Sequence, residues 1–104
     1  MTTGNGTRQV GAGDRPLFSL GRMLATPGAL DALAAAEASA ATYLARHVRG
    51  DWGDLDDEDR KVNAFALAHG ERLLSAYSLP TGERMWIITE WDRSATTVLL
   101  PSDY

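Results

Sequence analysis

LLSAYSLPTGERMWIITEWDRSATTVLL, residues 73–100, is the stretch from which the fold is read. Two runs of apolar, β-branched and aromatic residues, Leu73 to Leu79 and Met85 to Trp91, flank Pro80-Thr81-Gly82-Glu83. Proline and glycine at that spacing punctuate a turn, so the pair predicts a β-hairpin. Asp92-Arg93-Ser94 is a second turn and delivers the chain into a third run, Thr96 to Leu100. Three strands so closely joined form an antiparallel meander. Side chains alternate across a strand, which places Met85, Ile87, Trp91 and Val98 on one face and Trp86, Ile88 and Leu99 on the other. Both faces are apolar. One belongs beneath helices; the other needs the first strand and the chain termini, or another molecule. Either Trp86→Ala or Trp91→Ala is therefore expected to cost about 3–5 kcal/mol, as large-to-small core changes do, while the other weakens association.

Upstream the periodicity changes from strand to helix. Thr26-Pro27-Gly28 reads as a helix start, with Thr26 as N-cap and Pro27 where its missing N–H costs nothing. Ala29, Leu30, Leu33 and Ala34 then share a face. After a break near Glu37 to Ser39, Ala40, Leu44 and Val48 mark a second helix that Gly50 stops. A third helix, capped by Asp54 or Asp56, is expected to bury Val62, Phe65 and Ala66 and to end at Gly70. Leu17 to Leu24 suits a short strand interrupted by Gly21. The order is β-α-α-α-β-β-β: an α+β domain over 17–104 with helices on one face of a small antiparallel sheet. Residues 1–16, with Gly4, Gly6, Gly11 and Gly13 among polar neighbours, read as a flexible N-terminal arm.

Composition narrows the function classes. The chain of 104 residues has no cysteine, which removes disulfide and thiolate chemistry and favours a reducing cytosol. Neither a signal peptide nor an apolar run of the ~18 residues that span a bilayer is found, so a cytoplasmic location without a membrane is expected. The net charge is −4, and Asp51, Asp54, Asp56, Asp57, Glu58 and Asp59 crowd one stretch. A nucleic-acid binder shows the reverse balance, so direct binding to DNA or RNA is disfavoured. Gly11-x-Gly13 lacks the third glycine and the strand–helix setting of a dinucleotide fingerprint. There is no Walker A lysine and no Gly-x-Ser-x-Gly elbow. Asp54-x-Asp56-x-Glu58 imitates a calcium loop, but Asp59 and Phe65 stand where such a loop needs glycine and glutamate. His47 and His69 alone do not make a zinc site. Neither a metal nor a cofactor is expected.

Three features remain. Asp51-Trp52-Gly53-Asp54, with Asp56 and Asp57, is either a carboxylate-rich helix start anchored by Trp52 or an acidic docking surface for a basic partner. Trp91 and Arg93 belong to a turn beside the surplus apolar face, which is covered within the chain or is a surface for a partner or for self-association. His47 lies at the edge of a buried stripe, as a packed residue or as an acid–base group.

Ala25-Thr26-Pro27-Gly28-Ala29-Leu30, Leu44-Ala45-Arg46-His47, Gly50-Asp51-Trp52-Gly53 and Ile87-Ile88-Thr89-Glu90-x-Asp92-Arg93-Ser94-x-Thr96-Thr97-Val98-Leu99-Leu100-Pro101 resemble a family of small bacterial plasmid-related proteins. The resemblance covers 17–104 and implies a bacterial cytosol and a link to mobile elements; it supplies no catalytic residues. The family has a small residue where this chain has Trp91. The leading expectation is a non-enzymatic accessory factor of a mobile element that binds a host protein or protein complex, in its most specific form an inhibitor of a nucleic-acid-targeting defence complex. The alternative is a small metal-independent endoribonuclease similar in element order to barnase and the RelE-like toxins, with His47, Glu90, Arg93 and Thr97 as its chemical groups. A homo-oligomer formed through the second sheet face is a third expectation.

Overall fold

The computed structural model describes residues 15–104. The arm read over residues 1–16 thus lies outside the described residues, apart from its last two positions. Strand β1 (Arg22–Ala25) leads through Thr26 into α1 (Pro27–Ala35), followed by α2 (Ala40–Val48) and α3 (Asp57–His69). The meander follows as β2 (Leu73–Ser78), β3 (Arg84–Thr89) and β4 (Ala95–Leu99), and a 3-10 turn (Pro101–Asp103) closes the chain. The α+β class and the β-α-α-α-β-β-β order stand as read from the sequence.

Local signals set the helix ends. The Thr26 hydroxyl accepts from the Ala29 amide at 3.1 Å, with Pro27 at the first helical position. Of the two candidate caps for α3 it is Asp56 that accepts from Asp59 N, at 2.9 Å. Gly70 ends this helix in the left-handed region, with φ 70°, where glycine carries no Cβ penalty.

The sheet order is β1-β4-β3-β2. β2, β3 and β4 pair antiparallel, with Ser75 opposite Ile87 and Ile87 opposite Val98. β1 joins β4 in parallel, with Met23 opposite Thr96, so the sheet is mixed rather than wholly antiparallel. A parallel neighbour needs a long crossover, and the helices and hairpin between β1 and β4 supply it. β1 is also shorter than the expected 17–24. Gly21 turns the chain at φ 64°, and a Cβ there would meet the Ser94 carbonyl oxygen at 2.4 Å. This close approach lets Arg22 N donate to that oxygen at 2.9 Å, while Phe18 enters the interior.

Register divides the sheet into two faces. Leu73, Ser75, Tyr77, Met85, Ile87, Thr89, Thr96 and Val98 share the helix-bearing face. Tyr77, Met85, Ile87 and Val98 pack there with Ala29, Ala32 and Leu33 of α1 and Tyr43 of α2. A second cluster joins Trp52, Ala66 and Leu73 to Phe18, Leu55 and Leu67. The opposite face carries Ala76, Trp86, Ile88 and Leu99, and there the C-terminus adds cover: Tyr104 meets Trp86 edge-on at 5.8 Å, and its hydroxyl accepts from Arg72 at 2.8 Å. Alternation thus sorts Met85, Ile87 and Val98 from Trp86, Ile88 and Leu99 as expected. Trp91 departs from that pattern. β3 ends at Thr89, and Trp91 sits in the following turn, 64% exposed.

Two helix faces also differ from expectation. In α1, Ala29, Ala32 and Leu33 are buried and Leu30 is exposed. In α3 the buried residues are Asn63 and Ala66, while Val62 and Phe65 face solvent. The cause lies at the edge of β2. Asn63 Nδ2 donates to Leu74 O at 2.6 Å, and Leu74 N donates to Asn63 Oδ1 at 3.2 Å. A strand edge offers backbone groups that lose free energy if buried unpaired. The helix therefore turns its amide inward and its phenylalanine outward.

Candidate functional site

The acidic segment is built on a short piece of chain that extends the sheet. Gly53 bridges Ala76 in parallel, with Ala76 N donating to Trp52 O at 3.1 Å and Asp54 N donating to Ala76 O at 2.7 Å. Gly53 adopts φ 76°, and a Cβ there would lie 2.0 Å from the Ala76 carbonyl oxygen. Only glycine fits.

The carboxylates divide into two groups. Asp51 accepts from Arg46 at 2.7 Å and 3.2 Å and from Gly53 N at 3.2 Å. The Arg46 guanidinium holds its carboxyl below the usual carboxylate range. Arg46 in turn lies over the Tyr77 ring at 4.6 Å, and the Tyr77 hydroxyl donates to Asp51 O at 2.5 Å. Burial pushes that phenol up to about 12. Asp54 accepts from the Ser78 hydroxyl at 2.7 Å, and Asp56 caps α3. Arg60 straps the loop from behind, donating to Leu55 O at 2.9 Å and Gly53 O at 2.7 Å. Asp57, Glu58 and Asp59 are exposed in the first turn of α3 and have no side-chain partner among the described residues.

Trp52 is not displayed to a partner. It is buried, stacked on Phe18 at 6.3 Å and edge-on to His47 at 5.7 Å. It anchors the loop. The exposed aromatic of this region is Phe65, stacked on His69 at 4.0 Å. At helical spacing Glu58, Val62, Phe65 and His69 form one outward stripe, continuous with the acidic tip.

Arg93 links that helix to the β3–β4 turn. Its Nη1 donates to Glu71 O at 2.6 Å, Glu90 O at 3.0 Å and Trp91 O at 3.2 Å, and its Nη2 donates to Ala66 O at 3.2 Å. The guanidinium also lies over Phe18 at 5.7 Å. A cation so engaged is a clamp on the C-terminal end of α3, where the helix dipole favours positive charge. It also holds the backbone of exposed Trp91 beside the same end of the helix. Acid tip, apolar stripe and Trp91 turn are thus joined through α3 and Arg93.

His47, Glu90, Arg93 and Thr97 do not converge. His47 is fully buried on the helix-bearing face; Thr97 pairs with Ile88 on the opposite face, and Glu90 faces Arg72 at 3.5 Å. Both ring nitrogens of His47 are occupied, Nδ1 by Ser75 Oγ at 2.6 Å and Nε2 by Thr89 Oγ1 at 2.9 Å. The chain continues from Thr89 Oγ1 to Thr96 Oγ1 at 2.7 Å, and from Thr96 Oγ1 to Leu20 O at 2.7 Å. Because a carbonyl only accepts, one direction satisfies every member. Thr96 then donates to Leu20, Thr89 to Thr96 and His47 Nε2–H to Thr89; at Nδ1 a neutral ring accepts from Ser75, whereas a protonated one would donate to it. That neutral ring is the form burial favours. Burial, with Arg93 nearby, lowers its pKa to about 4.

No pocket is found among the described residues. Nor do three His, Asp or Glu side chains gather there as a metal site. No family model, curated protein or solved structure matches this chain.

Asp57 and Trp91 stand out in the sequence, whereas Phe65 reads as a core residue and Arg60 and Asn63 have no functional reading. The polar Asn63 within an otherwise apolar helical stretch was the available signal that the helix faces a strand edge.

Proposed function

We propose that this chain is a non-enzymatic binding protein that docks on a host protein through the outer face of α3. The observation that carries the reading is that Phe65, 57% exposed, and Val62, 59% exposed, follow directly on three carboxylates without a side-chain partner among the described residues, on a helix that Arg93 clamps at its other end. Exposed apolar side chains beside concentrated charge suit an interface in which charge steers encounter and an aromatic residue supplies the anchor. The partner face is then cationic at the helix tip and apolar along the helix. A channel built for phosphates has that cationic character. The specific form of the proposal is an accessory factor of a bacterial mobile element, acting in the cytoplasm as an inhibitor of a nucleic-acid-targeting defence complex. No helix among the described residues is long and apolar enough to cross a membrane.

The test is capture of bacterial host proteins by wild type, by Phe65→Ala, and by a variant combining Asp57→Asn, Glu58→Gln and Asp59→Asn. These substitutions leave the Asp51–Arg46 pair and the Asp56 cap intact. The expected result is loss of the same partner from both variants, with unchanged melting curves. Identical partner sets for all three proteins would remove the reading.

A further inference from the structure

The two edges of the sheet are finished differently. On β2 the backbone of Ala76 is bonded to Trp52 and Asp54, and that of Leu74 is bonded to Asn63. That edge is closed. β1 is the other edge, and all four of its residues are exposed, with Met23 at 64% and Leu24 at 42%. Arg22 N donates to Ser94 O and Thr26 N donates to Val98 O, so these residues turn their amides toward β4. By strand alternation Met23 and Ala25 turn their N–H and C=O groups away from the sheet. An edge that no described residue covers is a template for another strand.

We propose that the occupant is β1 of a second copy, paired antiparallel about a two-fold axis through Leu24, so that the two sheets become continuous. Centring on Leu24 puts Met23 opposite Ala25 of the second copy, and the reverse. The outward-turned backbone groups of these residues then exchange hydrogen bonds on both sides of the axis. Leu24 meets Leu24 of the second copy at the closer, non-hydrogen-bonded position, and the large Met23 lies across from the small Ala25.

The same register decides for a second copy over an unrelated strand. It sets Arg22 opposite Thr26 of the second copy, and Thr26 is extended, with φ −75° and ψ 154°. The Thr26 hydroxyl donates to Asp103 at 2.6 Å, and Leu100 N donates to the same carboxylate at 3.0 Å. Arg22 has no ion-pair partner among the described residues. In the pair each Arg22 guanidinium meets the Asp103 carboxylate of the other copy, twice by symmetry. An arbitrary strand would match the backbone but not these charges.

The experiment is sedimentation equilibrium of the full chain up to about 0.5 mM, since so short a contact gives a Kd of roughly 10–100 µM. Leu24→Asp places two carboxylates on the axis. Ala25→Pro removes an outward amide that β4 does not use. Each is expected to raise the Kd by about tenfold or more while the melting temperature of the monomer holds. Hydrogen exchange at Met23 and Ala25 should slow as concentration rises, and Leu24 should be indifferent. A chain that stays monomeric over the whole range, or a dimer indifferent to both substitutions, would overturn the proposal. So would a dimer that forms only after residues 1–14 are removed, because those residues would then be the occupant.

Discussion

Lowering the pH from 7 to 4 is expected to remove roughly 3 kcal/mol of stability through His47 alone. The imidazole is buried and neutral, with a folded-state pKa of about 4 against an ordinary 6.5. A histidine whose pKa is depressed on folding binds fewer protons folded than unfolded between those two values. Stability therefore rises with pH across that window and falls as the solution is acidified through it. Each pKa unit corresponds to about 1.36 kcal/mol, which gives the roughly 3 kcal/mol over the interval. For a domain holding roughly 5–10 kcal/mol in all, this is a large share, and the melting temperature should drop by roughly 10–20 °C. The carboxylates Asp51 and Asp103 act in a different window. Their pKa values are lowered in the folded state by hydrogen bonds from Arg46 and Thr26 respectively. Their contribution is present above the ordinary 3.8 and is lost below it. The assay is urea denaturation at successive pH values, followed by tryptophan fluorescence, for wild type and His47→Gln. The glutamine amide keeps a donor and an acceptor but does not titrate. The variant should be flat between pH 6.5 and 4, where the wild type slopes, and both should share the acid limb below that window. Parallel curves from pH 7 to 4 would refute the assignment of a neutral imidazole at the centre of the core.

Further outcomes test the structural account at other points. Gly53→Ala should cost about 2–4 kcal/mol in a denaturation experiment, because it combines a strained φ with a Cβ on the Ala76 carbonyl. Asn63→Leu should cost about 2 kcal/mol, since it strands the Leu74 amide and carbonyl at the edge of β2; slow hydrogen exchange at Leu74 should be lost with it. Trp86→Ala should lower stability by about 2–3 kcal/mol through lost packing with Tyr104 and its sheet neighbours, whereas Trp91→Ala should stay within about 0.5 kcal/mol. The two melting curves, run side by side, decide which of these tryptophans is structural.

The element order was legible because each local signal had a local cause. Thr26-Pro27 could only start a helix well, Gly70 could end one, and Pro80-Thr81-Gly82-Glu83 could turn a strand back on its neighbour. The candidate site was legible in part. The acidic tip and Trp91 stood out as residue types, and Asp57 has no side-chain partner among the described residues. The roles of their neighbours did not stand out. Arg93 read as an available cation, yet four carbonyl oxygens surround its guanidinium. Trp52 read either as a loop anchor or as a docking aromatic, and Phe18 and His47 enclose it as an anchor.

What the sequence by itself determined is therefore the class, the order of elements and the two-faced alternation of the meander, all of which depend on residues within a turn or a strand of one another. Tertiary structure alone decided that α3 turns Asn63 inward and Phe65 outward, that β1 runs parallel to β4, and that burial lowers the His47 pKa while hydroxyls meet both ring nitrogens. Each of those outcomes rests on groups far apart in sequence that meet only in the folded chain. No local pattern reports how such a group is satisfied.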